Sequence, residues 1–322
     1  MNIYDEINPR QRINLSYEAQ SIINSDRFTF SDGTDEAIKL SGIINRIFLS
    51  LAENSAVRKQ DQQRTEMLLA KKPPVLQTEI PTLNKKTRSY LERQDILETC
   101  KSLGIKPAKF VKAVIEEYAE MPFIERERIY FSDAAKVIEN NLNRVLCFES
   151  GKFFYEAKPY SLMPDKQSTY NYLVCKILNR QQPNRSNLSS FRLSRISKIA
   201  PKPDAESCLS IFEVEEIVKA INEKGVPFLR GDLCDIEVEL TQEGVRLFKS
   251  VLFMRPEVIR IEGRRYFFRC TATQAEIYFF KFGADAKILK PLQLTRKFNE
   301  RFKRAHETYH RLCNVDSTQE VP

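Results

Sequence analysis

Between residues 159 and 198, aromatic rings and cations share two short runs. Runs 169–177 and 189–196 have strand-like composition and flank a loop rich in Asn, Gln, Pro and Arg. They carry Tyr170, Tyr172 and Phe191, interleaved with Lys176, Arg192 and Arg195. Rings stack on bases and guanidiniums neutralise phosphates, so this is the chemistry of single-stranded nucleic-acid binding. Strict alternation along a strand places Phe191 and Leu193 on one face, the core, and Arg192 on the other. The candidate binding residues are Lys158, Tyr160, Tyr172, Arg192 and Arg195. The plainer alternative makes Tyr172 a core residue and the arginines members of surface ion pairs.

Other reactive constellations are scarce. His306, Glu307 and His310 match an HExxH pattern, in which two histidines one helical turn apart share a zinc ion and the glutamate acts as base. Only Cys313 and Glu320 lie nearby as further ligands, and these are the only two histidines of the chain. The spacing also fits a surface helix. No GxSxG elbow, Walker A loop or GxGxxG loop occurs, and nine glycines in 322 residues leave few phosphate-cradling turns. The expectation is a protein that is not an enzyme and that needs no cofactor or metal. A second basic set, Arg255, Arg260, Arg264, Arg265 and Arg269, lies in a region whose acidic residues balance it.

Charge is distributed unevenly. The chain carries a formal net charge of +8, of which 122–203 contribute +7, with 14 basic against 7 acidic residues. Residues 1–54 are net −3 and 204–322 are neutral. A cationic middle points to a polyanionic partner. Seven cysteines are scattered singly with no CxxC pair, which argues against a disulfide framework and a zinc ribbon. No apolar run of about 18 residues is present, and the N-terminus lacks a signal-peptide pattern, so a cytoplasmic protein without a membrane span is expected.

The elements that must position these residues fall into three regions. Residues 10–15 read as a half-buried strand. Ser16 caps a helix with Ala19, Ile22 and Ile23 inward, and Ser41 caps a second with Ile43, Ile44, Ile47, Phe48 and Leu51 inward. A second copy follows, with a strand over 80–84 and a helix over 85–103. Its last helix, over 106–120, enters through Pro107 and carries Phe110, Val111, Val114, Ile115 and Tyr118. The segment between the copies, about 55–77, reads as a linker or an exposed helix. A helix over 124–144 precedes strands at 145–149 and 152–158, joined by a turn at Gly151. Together with the two aromatic runs they make a small four- or five-stranded barrel. From residue 234 the order is strand, helix, strand, strand, helix, strand, a ferredoxin-like unit, and a last helix over 292–312 carries Phe298, Phe302, Ala305, Tyr309 and Leu312.

Strand, helix, helix within about 50 residues resembles one half of a ribbon-helix-helix fold, a β-ribbon reader of DNA. On that resemblance Arg10, Arg12 and Asn14 face a major groove, with Arg suited to guanine and Asn to adenine. The net negative charge of residues 1–54 opposes phosphate attraction there. The middle resembles the WYL domain, a small Sm-like and SH3-like β-barrel. Its triplet reads Asn171-Tyr172-Leu173 without the Trp, and its second signature reads Phe191-Arg192-Leu193-Ser194-Arg195-Ile196. The stretch from Lys281 to Phe298 resembles the C-terminal extension of such proteins.

The fold class expected is α+β and multidomain. Residues 1–120 form a ribbon-helix-helix-like region, 121–203 the WYL barrel with its preceding helix, and 204–322 a ferredoxin-like extension and candidate dimerisation domain. This arrangement resembles the WYL accessory proteins encoded beside type VI-D CRISPR systems. The resemblance implies a non-enzymatic homodimer that binds single-stranded RNA through its barrel, Asn171 included, and stimulates an RNA-guided CRISPR ribonuclease. The alternative is a DNA-binding transcriptional regulator whose WYL pocket senses a nucleotide or other ligand.

Overall fold

The computed structural model describes residues 13–31, 37–74, 81–179, 187–206 and 208–316. Helix α1 (Tyr17–Thr29) starts at Ser16, whose Oγ accepts from the Ala19 N–H at 3.1 Å. The Ser16 N–H and hydroxyl both donate to the buried Glu116 carboxylate, at 2.6 and 2.7 Å. Helix α2 (Leu40–Leu51) buries all five residues of its expected apolar stripe. Helix α3 (Gln62–Ala70) lies within the segment read as a linker or an exposed helix, and it buries Leu68. The helix expected over 85–103 is two, α4 (Lys85–Leu91) and α5 (Gln94–Ser102). Arg93 between them is extended at φ −60°, ψ 136°, and its guanidinium reaches Glu53, Asp95 and the Tyr90 ring. Helix α6 (Pro107–Glu120) buries its whole expected stripe.

The second helices of the two sequence copies, α2 and α6, pack against each other in one core. Of the expected ribbon, residues 10–12 and 80 lie outside the described residues, Arg10 and Arg12 among them, and the rest forms no strand. Its described parts, 13–15 and 81–84, belong to neither described sheet. Ile13 and Leu15 are buried in the helical core, and Asn14 is exposed.

The single helix expected over 124–144 is also two, α7 (Phe123–Tyr130) and α8 (Ser132–Glu139), broken at Phe131. Five antiparallel strands follow: β1 (Arg144–Ser150), β2 (Phe153–Asp165), β3 (Tyr170–Ile177), β4 (Leu188–Arg192) and β5 (Ser197–Glu206). Gly151, at φ +60°, makes the turn between β1 and β2, a backbone region costly to residues with a Cβ. The sheet order is β4-β3-β2-β1-β5, so β4 and β5 remain edges and the expected barrel is not closed. The chain leaves β4 through a 3-10 turn, Leu193–Arg195, instead of extending to a closing pair.

One face of this sheet packs Leu146, Phe148, Tyr155 and Phe191 against Ala135 and Ile138 of α8. The other face packs Tyr172, Val174 and Leu188 against α9 (Ile211–Lys224), an element absent from the sequence expectations. Helix α9 begins with a capping box between Ser210 and Glu213.

The C-terminal unit keeps the order read from the sequence: β6 (Leu233–Leu240), α10 (Gln242–Ser250), β7 (Val258–Glu262), β8 (Arg265–Thr271), α11 (Ala272–Phe279) and β9 (Ala286–Lys290). Helix α12 (Leu292–Asp316) ends the described chain. The sheet order is β7-β8-β6-β9, around a core of Ile236, Val238, Phe268, Tyr278 and Phe279. Gly244 is required by close approach, since a Cβ there would lie 2.2 Å from the Asp285 carbonyl oxygen. Among the described residues, no helix is long and apolar enough to cross a membrane.

Candidate nucleic-acid interface

The free end of β4 opens into a cleft of about 720 Å³. Its floor is the edge of the five-stranded sheet, with Tyr155, Tyr170, Tyr172, Ser190 and Arg192. Its walls come from elsewhere: Thr29 and Ser31 at and just after the end of α1, Pro227, Phe228 and Arg230 after α9, and Met254, Thr273 and Ile277 from the C-terminal unit. Among the described residues, three arginines line it and no Asp or Glu does.

Each arginine is held by ordinary local chemistry. Arg192 stands opposite Tyr172 in the β3–β4 register. Its Nε donates to the Tyr172 hydroxyl at 3.3 Å, and its guanidinium lies 4.1 Å from the Tyr170 ring centroid. A cation over a ring face gains about 0.5–2 kcal/mol. Arg230 approaches from the far side of the strand. Its Nε donates to Ser189 Oγ at 3.2 Å, and its guanidinium lies 4.8 Å from the Phe191 ring centroid. Burial pushes the nearby Cys175 thiol up to about 12, with the positive charge of Arg230 opposing. Arg195 ends the 3-10 turn and is exposed.

That turn is pinned from below by Glu127 of α7, a fully buried carboxylate. It accepts from the Asn171 N–H at 2.6 Å, the Asn171 side-chain amide at 2.9 Å and the Ser194 N–H at 3.3 Å. Phe123 of the same helix meets the Tyr170 ring edge-on at 5.2 Å.

Among the described residues, Lys158, Lys176, Lys198 and Lys202 of the same sheet each reach a carboxylate. Arg192, Arg195 and Arg230 reach none among the described residues. The four lysines of the sheet are thus neutralised by neighbouring carboxylates, whereas the arginines that line the cleft are not. Rings beside unpaired guanidiniums can stack a base and take its phosphate at one place.

The structure brings Arg192 and Arg195 together in the cleft, makes Tyr172 beside them a buried core residue, as the plainer alternative had it, and separates the other sequence candidates from them. Lys158 lies under α9, 3.7 Å from Glu213. Tyr160 packs into the apolar layer beneath that helix. Asn171 is buried, its side chain committed to Glu127 and the Ile124 carbonyl, so its role is structural. Asn14 is exposed at the start of α1, away from the residues that line the cleft. Arg230 and Tyr155 escaped the sequence reading. Arg230 falls beyond the boundary drawn at residue 203, and its only signal is a lone cation ending the apolar run Val226-Pro227-Phe228-Leu229.

The remaining motifs stand apart. His306, Glu307 and His310 are exposed on α12, with the two imidazole centroids 5.6 Å apart. Of the second basic set, Arg260 pairs with Glu262 and Arg265 with Glu237.

No protein-family model matches the chain, and no curated protein matches it. A solved structure described as the crystal structure of a CRISPR Cas-related protein is similar to it, at 22% identity over 94% of each chain with a TM-score of 0.70. A second, the proteasome accessory factor B/C (PafBC) of Arthrobacter aurescens, covers 79% of this chain and 36% of its own at 15% identity. Its TM-score of 0.27 is too low to carry weight. At these identities the first likeness is one of fold: nearly the whole chain follows the path of a CRISPR Cas-related protein.

Proposed function

We propose that this chain is a non-enzymatic RNA-binding regulator, an accessory to an RNA-guided, RNA-targeting CRISPR effector, that works as a homodimer. Single-stranded RNA binds at the β4 cleft. Tyr170, half-buried, provides the ring, Tyr172 is buried behind it as the hydroxyl partner of Arg192, and Arg192, Arg195 and Arg230 take phosphates. The observation that carries this reading is the contrast within one sheet: its lysines have carboxylates, and its cleft arginines do not. The fold shared with a CRISPR Cas-related protein supports the setting.

Fluorescence polarisation of the full chain with unstructured RNA and with random duplex DNA, across a salt series, tests it. RNA is expected to bind more tightly. Arg192→Ala and Arg195→Ala should each lower the slope of log affinity against log salt by about 0.7, the single-strand value per phosphate contact. Preference for duplex that survives Arg192→Ala would reverse the reading in favour of a DNA-binding regulator. One feature favours that second reading: the cleft has walls from three parts of the chain, as a ligand-sensing pocket does.

A further inference from the structure

We propose that the cleft holds the phosphorylated end of a single strand, about two nucleotides carrying a terminal phosphomonoester, and not the interior of a longer strand. This rests on the nucleic-acid reading above and names what that site takes.

Size sets the first limit. A cleft of about 720 Å³ falls in the range that encloses one drug-sized ligand, on the order of two nucleotides. A strand running through would need an open track on both sides of the ring platform. Here the end of α1 supplies Thr29, and the C-terminal unit supplies Met254 and Thr273.

Charge sets the second. Three guanidiniums converge with no carboxylate among the described residues that line the cleft. Each internal phosphodiester carries one negative charge, whereas a terminal monoester carries about 1.5 to 2 near neutral pH. Two linked nucleotides ending in a monoester therefore present about three charges, matching the three arginines; the same length of strand interior presents fewer.

Geometry sets the third. Phe191 and Arg192 are adjacent in β4 and point to opposite faces. Arg230, stacked on Phe191, and Arg192, stacked on Tyr170, therefore straddle the edge strand and approach the cleft from two sides. Both are held by rings and hydroxyls that leave their charge uncompensated. A doubly charged group accepting from several directions suits such a clamp, and guanidinium forks bind it with shorter and stronger hydrogen bonds than neutral donors.

Calorimetry of the full chain with four probes tests the idea: a 5′-phosphorylated dinucleotide, a 3′-phosphorylated one, the hydroxyl-ended one, and a longer RNA blocked at both ends. One of the two phosphorylated dinucleotides should bind at least about tenfold more tightly than the hydroxyl-ended form, and which one assigns the polarity. Arg230→Ala and Arg192→Ala should each erase that preference, and Arg230→Lys should restore part of it; Arg195→Ala, at an exposed position, serves where a variant fails to fold. Equal binding of blocked RNA and phosphorylated ends would overturn the end-binding proposal and leave RNA binding standing. Binding of none of the four probes would overturn both.

Discussion

Replacing Glu127 by alanine removes the one acceptor that ties α7 to both the start of β3 and the turn carrying Arg195. The Asn171 and Ser194 N–H groups lose their partner, and the Asn171 amide keeps only the Ile124 carbonyl. Each buried donor left unsatisfied costs about 1–3 kcal/mol, so Glu127→Ala should cost about 3 kcal/mol or more. Glu127→Gln keeps one acceptor oxygen and should cost about 1–2 kcal/mol. For a chain of this size the alanine variant should melt about 6 °C lower or more. Hydrogen exchange reads the effect where it arises. The Asn171 and Ser194 amides should exchange up to about a hundredfold faster in Glu127→Ala, with amides of β6 and β8 unchanged. RNA affinity should fall with them, because Arg195 leaves its turn. Unaltered exchange at both amides, with unaltered melting and affinity, would refute the assignment of Glu127 as the residue that positions the cleft.

Further outcomes follow from other contacts. Tyr170→Ala should weaken RNA binding about tenfold to a hundredfold, the worth of one stacked base, whereas Tyr170→Phe should leave the titration unchanged. Asp26→Asn breaks the buried pair with Arg126, at 2.8 Å, and weakens the bond from the Tyr118 hydroxyl at 2.7 Å. Its melting curve should show a loss of about 3–5 kcal/mol. Gly244→Ala drives a Cβ into the Asp285 carbonyl and should destabilise the C-terminal unit by about 1–3 kcal/mol in urea. The Ser210 N–H, then Lys158 and Lys176, hold the Glu213 carboxyl below its ordinary value of 4.5. A depressed carboxylate stabilises the fold fully above that ordinary value and progressively less as pH falls through the lowered one. Protection of the α9 amides, relative to their intrinsic exchange rates, should therefore fall in acid, and Glu213→Gln should remove that dependence.

Periodicity within a segment was readable before any coordinates. The stripes of α2 and α6, the Gly151 turn, the two aromatic strands and the order of the C-terminal unit all follow from residues close in sequence. Breaks inside helices were not readable, because Arg93 and Phe131 leave helical geometry through tertiary contacts. The site was half legible. Alternation set Arg192 and Phe191 on opposite faces, but it cannot say what covers a face. Lys158 and Tyr160 look as available as Arg192 in the sequence, and only the docking of α9 removes them. Arg230 joins the cleft from a segment 38 residues beyond Arg192, which no local pattern announces.

Because the cleft is assembled from the end of α1, the edge of the middle sheet and the C-terminal unit, its chemistry cannot be transplanted piecemeal. A fragment cut to residues 121–203 would retain Arg192 and Arg195 but forfeit all three walls, Arg230 among them. On the proposed reading, excised modules should bind more weakly and with less discrimination than the intact polypeptide.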